Sequence, residues 1–210
     1  MSIKSGGYTG RQHGLSMIEL IMFIMIVGIA LAGAVSVFIA SSGRSSDPLV
    51  RKQMLTIAEA LLEEVELQQF TYCDPLDTQA SSATSTAGCA TKVQGFGQPA
   101  AAGGVRANFN NVGNYCTEVG TGGATCTTLT LATGSPKQIP DFAGLTPSSP
   151  PYYWATISLT PEAFPTGGIP STAAAATMNV LRIKVTVHYD VNNETLELEG
   201  YRTRWSPRTS

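Results

Sequence analysis

Charge is scarce in this 210-residue chain: thirteen Lys and Arg stand against fifteen Asp and Glu, 13% of all residues, for a formal net of −2. Soluble domains ordinarily carry about twice that share. Without a basic excess the chain cannot track a phosphate backbone, and no nucleic-acid partner is expected. Histidine is nearly missing, at two residues, and no Cys-x-x-Cys pair occurs. That removes the common zinc geometries, so no metal and no cofactor are expected. There is no GxSxG elbow and no recognisable set of nucleophile, base and acid. The chain therefore does not read as an enzyme, and no catalytic residue is assigned. Arg202, Arg204 and Arg208 gather near the C-terminus and read as a solvated strand face.

What is abundant is apolar side chains in one place. Residues 15–40 run apolar for 26 positions with a single ionisable group, Glu19. As a helix this is about 39 Å, enough to cross a ~30 Å hydrocarbon core with some tilt. A charge inside such a helix costs roughly 2.5–3.5 kcal/mol at the bilayer centre and less near an interface, so Glu19 is expected to have a partner. The run itself offers none. Gly28, Ala32 and Gly33 give it a small-residue face for helix contacts, and the two glycines mark points of possible local unwinding.

Ahead of the run, residues 1–14 hold Lys4 and Arg11 and no acid, which keeps the N-terminus on the cytoplasmic side. A secretory signal places its cleavage site after the apolar core. Here the order is inverted. The candidate cut, between Gly14 and Leu15, precedes the run, so the apolar helix would stay on the mature chain.

All four cysteines, Cys73, Cys89, Cys116 and Cys126, lie beyond the apolar run in a stretch rich in Gly, Ser and Thr. An even count in that context reads as two disulfides in an oxidising compartment. Of the three possible connectivities, the sequential one is chosen: Cys73 with Cys89 and Cys116 with Cys126, each stapling a loop.

Asp47-Pro48 reads as a helix start. Val50, Met54, Ile57, Ala58, Leu61, Leu62 and Val65 follow the spacing of an amphipathic helix over 47–70. Arg51, Lys52, Glu59, Glu63, Glu64 and Glu66 form its polar side. Continuity between this helix and the apolar one is left open. Region 71–151 reads as disulfide-stapled loops with a short strand at Thr127–Ala132. Its Gly103-Gly104 and Gly122-Gly123 pairs are turn signals. Asn108, Asn110, Asn111 and Asp141 are turn-forming side chains rather than calcium ligands.

Region 152–210 reads as an antiparallel sheet. A strand over Tyr152–Thr160 comes first. Then Leu181, Ile183, Val185, Val187 and Tyr189 alternate with polar neighbours, and Asp190-Val191-Asn192-Asn193 turns the chain. His188 falls on the polar side, as a solvated residue. On the return strand Leu196 and Leu198 point inward. A bulge at Gly200 is expected to switch the phase, bringing Tyr201, Thr203 and Trp205 inward. Lys184 is expected near Glu197 or Glu199.

Gly14-Leu15-Ser16-Met17-Ile18-Glu19-Leu20 resembles the class III signal of type IV prepilins and of type II secretion pseudopilins. In that superfamily a Gly precedes the cut and a Glu is the fifth residue after it; Leu15 stands where Phe is usual. The resemblance implies cleavage after Gly14 by the prepilin peptidase and N-methylation of Leu15. It further implies assembly with other pilin subunits through the N-terminal helix, Glu19 pairing with a neighbour's terminal amine. Asp47–Gln53, Ala58–Val65, Phe70–Pro75, Phe109–Val112 and Leu198–Arg204 are similar to the minor pilins of the mannose-sensitive haemagglutinin (MSHA) type IV pilus. These blocks cover the helix and the last strands and little of the middle.

The expected fold class is thus α+β and type IV pilin-like. A long N-terminal helix, membrane-spanning in its first half and amphipathic in its second, packs on a C-terminal antiparallel sheet with disulfide-stapled loops. The expected function is a minor pilin, held in the inner membrane with its C-terminal domain periplasmic, then assembled into a surface filament. A secretion pseudopilin and a filament-tip adhesion module are the alternatives.

Overall fold

The computed structural model describes residues 16–42, 48–99, 104–118, 122–164 and 168–204. Gly14, Leu15, Asp47, Trp205 and Arg208, and the junction at 43–47, lie outside them. The chain falls into two compact units that divide after Pro48.

Among the described residues the first unit contributes one helix, α1 (Met17–Ser42). The Ser16 carbonyl opens it, accepting from the backbone N–H of Glu19 at 3.0 Å and of Leu20 at 3.1 Å. The helix runs unbroken through Gly28 and Gly33, so neither glycine unwinds it. Side-chain entropy does not explain why it persists, since its many Ile, Val and Phe residues lose rotamer freedom in a helix. In an apolar surround the helix persists because it satisfies every backbone group within one segment. Ser36 sends its hydroxyl back to the Gly33 carbonyl at 2.8 Å, satisfying within the helix a group that would otherwise face an apolar surround.

All of α2 (Pro48–Glu66) but its first residue belongs to the second unit. Val50, Met54, Ala58, Leu61 and Val65 are its buried residues, one stripe at helical spacing. They share a single hydrophobic cluster with the inner face of a four-stranded sheet. The strands are β1 (Leu129–Leu131), β2 (Tyr153–Pro161), β3 (Val180–Tyr189) and β4 (Glu194–Thr203). They lie in sequence order, and every neighbouring pair is antiparallel. β1 comes from the stapled middle, so region 71–151 contributes to the sheet as well as to the loops. Tyr153, Ala155, Ile157 and Leu159 of β2 and Leu181, Ile183, Val185 and Val187 of β3 are buried. Alternation of this kind is what a sheet with one covered face requires. The resulting class is α+β.

The bulge expected at Gly200 does not form. The register is one-to-one throughout, with Ile183 opposite Gly200 and Leu181 opposite Arg202. Tyr201 therefore stays on the outer face, 45% exposed, and Thr203 beside it is exposed too. The reason lies in α2. A Cβ built on Gly200 would stand 2.1 Å from Glu66 Oε1 and 3.0 Å from Leu62 Cδ1, so the strand passes close under the last turn of the helix. Beyond that point the inner face meets the end of a helix instead of an apolar surface. Arg202 suits that place, because its Nη2 donates to the Gln68 carbonyl at 3.3 Å, just past the helix end.

On the outer face Lys184 pairs with Glu197 at 3.3 Å, diagonally across the register, since Glu199 is its direct neighbour. Arg182 bridges Glu162 at 2.9 Å and Glu199 at 3.1 Å. Exposed pairs of this kind each contribute about 0.2–1 kcal/mol.

Candidate functional site

Met17–Ile39 is long and apolar enough to cross a membrane. Its side chains are exposed: Ile18, Phe23, Ile29 and Phe38 are between 64% and 73% accessible. No soluble helix leaves such a surface uncovered without a partner or a lipid phase. Glu19 sits in the first turn of this helix, and among the described residues it has no ion pair. A Cβ added to Gly28 or Gly33 would meet nothing within 4 Å, so both glycines present open ground on the helix surface.

The second unit is organised by its staples. Cys73 bonds Cys89 and Cys116 bonds Cys126, with Cα–Cα distances of 5.4 and 5.2 Å. This is the sequential connectivity. Each closed loop contributes about 3 kcal/mol in the chain-entropy account. Inside the first loop Asp77 acts as an organising anion. Its carboxylate accepts from the backbone N–H of Gln79 (2.9 Å), Ala90 (3.1 Å), Thr91 (2.6 Å) and Lys92 (2.9 Å), and from the Thr91 hydroxyl (2.9 Å). These donors, the Gln79 amide first, hold its pKa far below the ordinary carboxylate range. Cys116, Glu118 and Cys126 come within 4.8 Å of one another, as ligands of a metal would. Both sulfurs are spent in the disulfide, and Glu118 accepts from Thr127, so the trio offers no thiolate.

The asparagines serve turns. Asn111 and Asn114 close a reciprocal cap on the short 3-10 helix Val112–Asn114. Asn114 also donates to the Gly97 carbonyl at 2.8 Å. Asp141 accepts from the Leu145 amide and the Thr146 hydroxyl, 2.7 and 2.8 Å away, within its own turn.

Two clusters escaped the sequence reading. Glu64, assigned there to the polar side of α2, is half-buried. It is ion-paired with Arg106 and accepts from the Tyr115 hydroxyl at 2.8 Å. Arg106 continues to the Pro140 carbonyl at 2.7 Å. Burial, and then the charge of Glu64, push the Tyr115 hydroxyl well above its ordinary pKa. This buried network ties α2 to the stapled middle. The second cluster lies on the outer face of the sheet. Trp154 stacks on His188 with ring centroids 3.8 Å apart, and Lys137 sits over the indole at 4.1 Å. The indole N–H donates to Asp190 at 2.6 Å. His188 is thus half-covered by an aromatic ring and not fully solvated. Adjacent Tyr152 takes φ 74°, a strained value for a bulky residue, held by its N–H on the Lys137 carbonyl and its own carbonyl on the Asp190 N–H.

No family model, no curated protein and no solved structure matches the chain.

Proposed function

We propose that this chain is a filament subunit of the type IV pilin class, a minor pilin of an MSHA-like pilus. In this reading the prepilin peptidase cuts between Gly14 and Leu15 and Leu15 is N-methylated. The subunit waits in the inner membrane with its disulfide-stapled unit in the periplasm, and α1 then becomes filament core. The observation that carries the reading is Glu19. One carboxylate stands in the first turn of a 26-residue apolar helix, unpaired among the described residues. A bare anchor gains nothing from that charge. A neighbouring subunit's terminal amine would neutralise it in a low-dielectric surround, which gives the helix a directional partner. The α+β unit with two disulfides is compatible with an oxidising, extracytoplasmic setting.

The test is Glu19→Ala. Membrane insertion should survive, because the variant is more apolar. Recovery of the chain in sheared surface filaments should fall at least about tenfold, since breaking a buried pair costs about 3–5 kcal/mol. Filaments holding the wild-type amount of the variant would rule out the assembly role.

A further inference from the structure

The sheet has two edges, and only one of them is defended. β1, on one side, is three residues long, and so short an edge strand offers little to pair with. β4, on the other, runs ten residues and pairs with β3 at every one of them. Over Thr195–Tyr201 it carries no proline, no bulge and no inward charge, the usual devices against a further strand. Half of a strand's N–H and C=O groups point away from its one neighbour. Among the described residues, those of Thr195–Tyr201 meet no other protein group. The apolar layer also thins there. Val185 and Val187 of β3 are fully buried, whereas their partners Leu198 and Leu196 are half-buried. Leu62 of α2, which reaches over Gly200, is half-buried as well. The three leucines form an apolar shelf that a further strand would cover.

The outer side fixes the charge of the occupant. Glu197 and Glu199, 53% and 42% exposed, are the charged residues that β4 presents outward, and both are acids. Behind them two cations, Arg182 and Lys184, serve three acids, the third being Glu162, so the patch keeps a negative charge. A strand laid beside β4 places alternate side chains on the shelf and beside these acids. The first set must be apolar and the second Lys or Arg, since opposite charges facing across strands stabilise and like charges do the reverse. A second copy of this chain does not fit. Paired antiparallel so that Leu196 of each faces Leu198 of the other, it sets Glu197 against Glu197. We propose that β4 is a docking edge that takes an extended segment of another protein, alternating apolar and basic residues, as a fifth strand. This edge belongs to the second unit alone and does not depend on the assembly role of Glu19.

The full chain in nonionic detergent micelles is titrated into a fluorescein-labelled nonapeptide that alternates Lys and Val, with protein-free micelles as the blank. Saturable anisotropy is expected, at least about fivefold tighter than for the same peptide with Glu in place of Lys. Glu197→Lys combined with Glu199→Lys should reverse that preference. Leu198→Arg puts a charge on the shelf and should weaken binding of the Lys–Val peptide at least about tenfold. Far-UV circular dichroism and the melting midpoint establish that these variants fold. A further arm needs only the wild-type chain: the Lys–Val peptide N-methylated throughout keeps its side chains and charge but cannot donate, and should not bind. No saturable binding, no preference for the basic peptide, binding kept by the methylated one, or undiminished binding in folded Leu198→Arg overturns the proposal. So does self-association of the wild type in sedimentation that Leu198→Arg abolishes, which would give the edge to a second copy.

Discussion

A Cβ placed on Gly113 would stand 2.2 Å from the Gly95 carbonyl oxygen, closer than any real side chain approaches a backbone. The two segments lie backbone against backbone, and the Gly97 N–H donates to the Gly113 carbonyl at 2.9 Å beside them. Gly200 has an equally short clash, at 2.1 Å, but with the far end of the Glu66 side chain. One neighbour can move and the other cannot. Gly113→Ala should therefore cost about 3 kcal/mol, at the upper end for overpacking. Gly200→Ala should change stability by less than about 1 kcal/mol, because Glu66 swings aside and alanine suits a strand better than glycine. Urea unfolding of both variants checks this, and equal losses would contradict it.

The Asp77 loop predicts an acid-sensitive fold. Its carboxylate meets only donors, so the ionised form alone fits. The folded pKa lies below the ordinary aspartate value of about 3.9. For a depressed carboxylate the stabilisation is complete above the unfolded value and disappears as pH falls through the folded one. Asp77→Asn should be less stable than wild type at pH 7, since its amide nitrogen opposes the N–H groups of Thr91 and Lys92. The gap should narrow on acidification below about pH 4. Denaturant midpoints at pH 7 and pH 3 read it directly, and a gap that widens in acid would refute the assignment.

The parts of the fold that obey a period were legible in the sequence. Val50, Met54, Ala58, Leu61 and Val65 recur at helical spacing because one side of α2 is covered. Leu181, Ile183, Val185 and Val187 alternate for the same reason on a sheet face. Glu64 carries no such sign. Its partner Arg106 is 42 residues away, in a loop without periodicity, so it reads as one more solvated acid on a charged helix side. The end of β4 failed for a related reason. The sequence places Tyr201 where an apolar residue would fit, and only the position of α2 over Gly200 shows that an arginine faces inward. Glu19 differs from all of these. A single acid in an apolar run stands out by composition, and the structure adds its place in the first turn of α1.

The stack of Trp154 on His188 makes the sheet's outer face a reporter of proton binding. Burial against the indole lowers the His188 pKa; Asp190 works against that shift and Lys137 adds to it. The neutral imidazole is the form the fold prefers. Its stabilisation is therefore complete above the ordinary value of about 6.5 and is lost as pH falls through the lower folded value. Protonation places a cation on the indole face, so tryptophan emission should change with a midpoint below about 6.5. His188→Gln should remove that transition. Removing the nearby ammonium with Lys137→Met should raise the midpoint, and Asp190→Asn should lower it further, because each deletes a charge acting in the opposite sense. A midpoint at or above the free-histidine value, or one unmoved by both charge deletions, would show that the imidazole does not sense this cluster.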